Sequence, residues 1–114
     1  MNLIRLLALA LLAAACASTG SDSAPSGSAL FRVAQCSDCH GSDLAGTIGA
    51  PSLLGLAANW EQDSLADFLN DPTPVMAKDA RLAALDLAYS EEMPGCPDLT
   101  NAQREALAGW LLTR

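Results

Sequence analysis

The sequence predicts an all-α fold for one small domain. The chain has 114 residues, one domain at most. Beyond residue 28 it is rich in Ala and Leu and has little of the alternation of β-branched residues that strands show. Near its end, Thr100 and Gln103 have the spacing of a helix capping box, and an apolar stripe follows at helical intervals. A domain of about 85 residues buries only a modest core. We therefore expect three to five short helices wrapped around an additional apolar centre.

The individual helices are predicted from apolar runs, caps and breakers. The first spans residues 29–36, and a glycine-punctuated loop follows over residues 41–55. Asp63 is the predicted N-cap of a helix over residues 64–70, which ends at the proline-containing loop 71–77. The last two helices are 78–89, with Leu82, Leu85 and Leu87 or Ala88 facing inward, and a terminal helix after Thr100 with Ala106, Leu107, Trp110 and Leu111 as its inner stripe.

The first 28 residues are predicted to lie outside the domain. Residues 1–15 carry Arg5 before an apolar run of export-signal length, too short to span a bilayer; a buried N-terminal helix is the alternative. The residues before Cys16 resemble the lipobox of bacterial lipoproteins, which attach lipid to that cysteine, with ordinary cleavage at an Ala-x-Ala site as the alternative. Residues 16–28 are small and polar, as in a flexible linker. We therefore expect an exported, periplasmic or extracytoplasmic protein, lipid-anchored to a bacterial membrane, with its domain at 29–114.

One run of residues indicates chemistry, namely Cys36-Ser37-Asp38-Cys39-His40. Two cysteines spaced by two residues, with a histidine after the second, are typical of c-type haem attachment, since two sulfurs must reach the two vinyl groups of one porphyrin. His40 is the only histidine in the chain and is the expected proximal iron ligand. A thiol–disulfide site would need a βαβ context that a helical sequence lacks, and zinc would need adjacent Cys39 and His40 on one ion. We predict one haem c, covalent through Cys36 and Cys39.

Four elements in order resemble the class I c-type cytochromes over residues 27–114. They are an aromatic residue, Phe31, in the helix before the haem motif, then a glycine–proline segment, a Met-Pro pair and a terminal amphipathic helix. The resemblance implies the small cytochrome c fold, in which the first and last helices cross, here with Phe31 against Leu107 and Trp110. Phe31 precedes Cys36 by five residues where the family usually has four. We expect the extra residue to turn the end of the first helix.

The same resemblance implies the other site residues. Met93, followed by Pro94, is the expected sixth iron ligand; Met76 is the alternative, and a five-coordinate iron is a third possibility. The carbonyl of Pro51 is expected to accept a hydrogen bond from the ring of His40. The indole of Trp60 is a candidate donor to a haem propionate, and further candidates are Tyr89, Arg81 and Lys78.

The charge of the chain narrows the class of partner. There are 13 acidic and 6 basic residues, a formal net charge of −7. Loss of Arg5 with the export signal would leave 5 basic residues and a net charge of −8. Such a chain is a poor binder of nucleic acid. It suits a redox partner with a basic docking face, although the charge also serves solubility alone.

Together these features predict an electron carrier rather than an enzyme. The expected function is transfer of single electrons between membrane-associated or periplasmic redox partners. One alternative is a haem c subunit or accessory domain of a larger oxidoreductase. Another is a five-coordinate haem peroxidase or gas sensor, which requires that Met93 does not bind. Cys96 has no role in any of these schemes; it is either a free thiol or a small buried apolar residue.

Overall fold

The computed structural model describes residues 24–114. The predicted export signal, Cys16 and most of the predicted linker lie outside them. This part of the chain contains no strand, which confirms the all-α prediction. Its helices are Gly27–Val33 (α1), Ser37–His40 (α2), Gln62–Asn70 (α3), Pro72–Met76 (α4), Ala80–Ala88 (α5) and Asn101–Leu111 (α6), with a 3-10 turn at Leu56–Ala58. Over residues 24–114, no helix has the length and apolar character needed to cross a membrane.

The first helix begins and ends earlier than predicted. Ser26 is the N-cap of α1, and its hydroxyl accepts a hydrogen bond from the backbone N–H of Ala29. At the other end Gln35 has a left-handed backbone, with φ of 61°. The N–H of Cys36 bonds to the carbonyl of Phe31 at 3.1 Å, and the N–H of Gln35 bonds to that of Arg32 at 3.0 Å. This is a Schellman termination. It turns the chain between Phe31 and the haem motif, as the extra residue there was expected to do.

The start of α3 and the segment after it differ from the prediction. Glu61, not Asp63, is the N-cap of α3, and its backbone N–H donates to the hydroxyl of Ser64 at 3.2 Å. Asp63 lies in the first turn of the helix instead. The predicted loop 71–77 contains the helix α4, in which Pro72 occupies the first helical position and the side chain of Asp71 accepts from the N–H of Thr73. Proline is tolerated there because that position has no N–H partner to lose.

The fifth helix is shorter than predicted and exposes more of its surface. It begins at Ala80 because the carboxylate of Asp79 accepts from the N–H groups of Arg81 and Leu82. Leu82 is buried and Leu85 is partly buried, as predicted. Leu87 is 88% exposed, and Ala88 is exposed as well. The inward face of α5 is therefore narrower than the apolar pattern indicates.

The terminal helix has the predicted cap but a rotated inner face. Thr100 and Gln103 form the capping box, each side chain accepting from the backbone N–H of the other. Two of the predicted inner residues are not buried, since Ala106 is exposed and Trp110 is only partly buried. The residues that are buried recur at intervals of three and four along the helix. The buried set is Arg104, Leu107, Ala108 and Leu111.

The core is formed where α6 packs against α1 and α3. Phe31 contacts Trp110 with ring centroids 5.5 Å apart, and Leu107 is completely buried in the same cluster. The predicted contact of Phe31 with Trp110 is confirmed, and Leu107 belongs to the same core cluster. The crossing depends on Gly27, because a Cβ atom there would lie 2.1 Å from the Cβ of Trp110. Only a residue without a side chain lets the two backbones approach this closely.

We expect Gly27→Ala to lower the free energy of unfolding by about 1–3 kcal/mol, because the new methyl group overpacks the crossing of α1 and α6. Urea unfolding of the haem-loaded protein measures this. Gly109→Ala is the matched control, since the three heavy atoms nearest to a Cβ atom there all belong to the flexible side-chain amide of Gln62, the closest at 3.0 Å. Equal effects of the two substitutions would contradict the assignment of Gly27 to a tight helix crossing.

Candidate haem site

The haem motif occupies a single turn of helix directly after the Schellman termination. Cys36 lies at the N-terminus of α2, and the N–H of His40 bonds to the carbonyl of Cys36 at 3.0 Å. Both cysteines are partly buried, and His40 is 7% exposed. The helical turn therefore presents the two thiols and the imidazole to the same cavity.

The ring of His40 is oriented by the carbonyl of Pro51. Nδ1 of His40 lies 2.8 Å from the oxygen of Pro51, so the predicted hydrogen bond is present. A carbonyl only accepts, and Nδ1 must therefore carry the proton. The lone pair of Nε2 is then available to a metal, and the hydrogen bond limits rotation of the ring.

The loop after α2 brings Pro51 to this position. The N–H of Gly46 bonds to the carbonyl of His40 at 2.8 Å, and the N–H of Leu53 bonds to that of Leu44 at 2.8 Å. Gly46 has φ of 85°, and a Cβ atom there would lie 2.6 Å from the backbone nitrogen of Ser52. A side chain at this position would push the 50–52 segment away from His40. The glycine-rich character of the loop thus serves the orientation of the imidazole.

A cavity of about 450 Å³ lies beside the motif, within the range of sites that hold small molecules and cofactors. Its wall contains Cys36, Cys39 and His40, and most of the remaining lining is apolar. The apolar lining includes Phe31, Leu53, Leu56, Leu65, Phe68, Leu69, Leu82 and Leu85. Two thiols, an oriented imidazole and an apolar slot are the groups that a covalently attached porphyrin requires.

The segment between α5 and α6 forms another part of the wall and carries Met93. Two backbone hydrogen bonds hold it, from the N–H of Glu91 to the carbonyl of Gly49 at 3.2 Å and from the N–H of Cys96 to the carbonyl of Leu69 at 2.6 Å. Met93 lies between these two attachments, is partly buried and packs against the core. Its thioether therefore belongs to a segment tied to both the motif loop and α3.

The other predicted site residues are also near the cavity, with one exception. Met76 and Trp60 line it, and the ring of Trp60 packs on Phe68 with centroids 5.2 Å apart. The guanidinium of Arg81 lies 5.6 Å from the centroid of the Trp60 ring, a cation–π arrangement. Of the further candidates for a propionate contact, Arg81 and Tyr89 line the cavity, and Lys78 lies outside the lining.

Comparison with protein families gives one match. The model of the family described as "Cytochrome c" matches residues 24–114, which is most of the chain. This chain belongs to the cytochrome c family. Its helical architecture is consistent with the small cytochrome c fold, and family membership identifies the cofactor as haem c, covalent through Cys36 and Cys39. It also indicates haem-based electron transfer. No curated protein and no solved structure gives a significant match.

Sequence reasoning missed the role of Arg104 in this cytochrome c domain. Its side chain is 8% exposed. The guanidinium donates to the carbonyls of Cys96 and Leu99 and to the side-chain oxygen of Asn101. Arg104 therefore ties α6 to the chain that follows Met93. The sequence did contain a signal for this burial, because Arg104 lies three residues before Leu107 and therefore falls on the same, buried side of the helix.

Cys96 lies beside the haem motif, which the sequence did not indicate. It lines the same cavity as Cys36, and the two thiols influence each other's pKa. The hydrogen bond from Cys36 lowers the pKa of the Cys96 thiol to about 7, burial opposes this shift, and the positive charge of Arg104 adds to it. The same hydrogen bond, together with burial, raises the pKa of Cys36 above its ordinary value.

We expect Arg104→Met to lower the free energy of unfolding by about 2 kcal/mol or more, because two backbone carbonyls lose a charged donor in a buried place. Denaturant unfolding of the haem-loaded protein measures the change. Arg32→Met is the control, since Arg32 is an exposed cation on α1. An effect of Arg104→Met no larger than that of the control would show that the guanidinium does not hold the segment.

Proposed function

We propose that this protein is a monohaem c-type cytochrome with His40 and Met93 as axial ligands, which transfers single electrons between membrane-associated or periplasmic redox partners. One observation carries the proposal. His40, with Nδ1 bonded to Pro51, and Met93 lie in the wall of the same apolar cavity as Cys36 and Cys39. This arrangement supports retention of both ligands through a change of oxidation state.

Each group has a distinct task in this proposal. The haem, when bound, supplies a one-electron Fe(III)/Fe(II) couple. His40 offers Nε2 as a ligand whose direction is set by Pro51. Met93 offers a soft thioether that favours Fe(II) and raises the reduction potential. The apolar side chains of the lining keep water from the site, which is a second influence on the potential.

An iron with both axial positions taken has no open position for a substrate. Peroxidase and gas-sensing functions require such a position, so His40–Met93 ligation favours an electron carrier over either. The alternative of a haem c subunit in a larger oxidoreductase uses the same site and differs only in its partner. As an independent carrier or as a subunit, the protein would transfer electrons through its haem.

The partner in this proposal is a protein with a basic docking face. Asp86, Glu91 and Glu92 are exposed and line the cavity. Leu54 lines it too and is 52% exposed. Carboxylates around an apolar opening favour a partner of opposite charge, because complementary potentials speed encounter and set orientation. The net charge of −7 supports the same choice.

The axial assignment is tested with Met93→Leu and the matched variant Met76→Leu. We expect Met93→Leu to abolish the weak far-red absorption band of the oxidised protein and to lower the reduction potential, because the iron loses a thioether ligand. Met76→Leu should leave both unchanged. The opposite pattern would make Met76 the ligand. Absence of the band from the unsubstituted protein, with high-spin features, would leave a five-coordinate iron and overturn the proposed electron carrier.

The proposed location rests on the sequence before the domain. We propose export and attachment of lipid to Cys16, followed by the linker of residues 16–28. Intact mass of the protein from the membrane fraction is expected to show an acyl modification, and Cys16→Ser should move the haem-loaded protein to the soluble fraction. A mass that shows cleavage without lipid would contradict the anchor and leave the haem site unaffected.

A further inference from the structure

Thr47 lies in the turn between the haem motif and Pro51, and its side chain is outside the wall of the haem cavity. We propose that Thr47 is a positioning residue for His40, because its hydroxyl locks the turn that presents the carbonyl of Pro51 to the imidazole. The proposal rests on the axial ligands of the proposed function and is independent of the redox partner.

The side chain of Thr47 bonds to the haem motif itself. Its hydroxyl donates to the carbonyl of Cys39 at 2.5 Å, and the same oxygen accepts from the backbone N–H of Gly49 at 3.1 Å. The N–H of the preceding residue, Gly46, bonds to the carbonyl of His40 at 2.8 Å. Two neighbouring residues of the turn therefore hold two consecutive carbonyls of the motif, one through the backbone and one through a side chain.

The backbone of Thr47 holds the other end of the turn. Its N–H bonds to the carbonyl of Ala50 at 2.9 Å, and Ala50 is buried. The next carbonyl along the chain belongs to Pro51 and accepts the bond from Nδ1 of His40 at 2.8 Å. Thr47 therefore joins the haem motif, through its side chain, to the residue before Pro51, through its backbone.

A hydroxyl is required at position 47 because the two groups that meet it are of opposite kind. The carbonyl of Cys39 only accepts a hydrogen bond and the N–H of Gly49 only donates one, whereas a hydroxyl does both. Valine has the shape of threonine without either capacity. Serine keeps the hydroxyl and lacks only the methyl group. Serine should therefore replace Thr47 in this role, and valine should not.

The effect on His40 follows from the hydrogen bond at Nδ1. A partner on that nitrogen fixes the direction of the ring and makes Nε2 a stronger donor to a metal. Stronger donation favours Fe(III), so loosening of the Pro51 carbonyl should raise the reduction potential. Loss of the thioether of Met93 would lower the potential instead. The sign of the change therefore distinguishes a role at His40 from a role at the Met93 segment, to which Gly49 is joined through the N–H of Glu91.

The test compares Thr47→Val and Thr47→Ser in the haem-loaded protein. We expect Thr47→Val to raise the reduction potential and to keep the far-red band. It should also speed exchange of the Nδ1 proton of His40, measured by NMR of the Fe(II) protein, by about three- to tenfold, the effect of one hydrogen bond. Thr47→Ser should match the unsubstituted protein in all three measurements.

Thr113→Val is the matched control. The hydroxyl of Thr113 also donates to a backbone carbonyl, that of Trp110 at 2.7 Å, and neither residue lines the haem cavity. This variant should leave the potential, the band and the exchange of the His40 proton unchanged. The proposal is wrong if Thr47→Val lowers the potential or loses the band, if it behaves like Thr113→Val, or if Thr47→Ser behaves like Thr47→Val.

The unsubstituted protein gives a second test that needs no variant. The N–H of Gly49, bonded to the Thr47 hydroxyl, should exchange at least about tenfold more slowly than in the unfolded chain. An unprotected N–H would overturn the proposal even if Thr47→Val does not load haem. Absence of the far-red band from the unsubstituted protein would overturn the axial assignment and this proposal with it, whereas a normal band with unaffected variants would overturn this proposal alone.

Discussion

The other parts of the structure depend on the apolar cavity of about 450 Å³ beside the haem motif, which the side chains of this small domain leave open. One wall is the helical turn of Cys36, Cys39 and His40, and another is the segment that carries Met93. The packed helices α1, α3 and α6 support both walls. An apolar slot of this kind is costly to hydrate. A covalently held porphyrin therefore completes the core and creates the functional site at the same time.

The two walls are positioned mainly by bonds to backbone carbonyls. Pro51 accepts from the ring of His40, Gly49 accepts from the N–H of Glu91, and Leu69 accepts from the N–H of Cys96. The ion pair of Arg81 with Asp79 is 3.8 Å long and exposed, so it adds little. Backbone contacts change little when the charge of a nearby group changes. Walls held by these backbone hydrogen bonds suit a site whose ligands are proposed to remain in place as the iron gains and loses an electron.

Arg104 ties Cys96 to the terminal helix α6. The guanidinium of Arg104 holds the carbonyl of Cys96 and also lowers the pKa of its thiol. The contact that steadies the Met93 segment thus also fixes the backbone of Cys96 at the cavity wall.

Features that depend on local spacing were accessible from the sequence by itself. The haem motif, the single histidine and the capping box of α6 each involve a few neighbouring residues, and so does the helical character of the chain. The contact of Phe31 with Trp110 and the bond from His40 to Pro51 required resemblance to a family as well. Both are present in the structure, because they belong to the frame that the family shares.

Only the tertiary structure decided which residues meet across long separations in the chain. It placed Cys96 in the wall of the same cavity as Cys36, buried Arg104 and left Ala106 exposed. It also made Asp71 and Pro72 the start of a helix where the prolines had indicated a loop. In each case the local pattern permits more than one arrangement, and packing of α6 and of the 89–100 segment selects among them. The sequence by itself therefore determined which cofactor is bound and by which residues it is attached, since covalent attachment requires a fixed spacing. The environment of those residues depended on the fold.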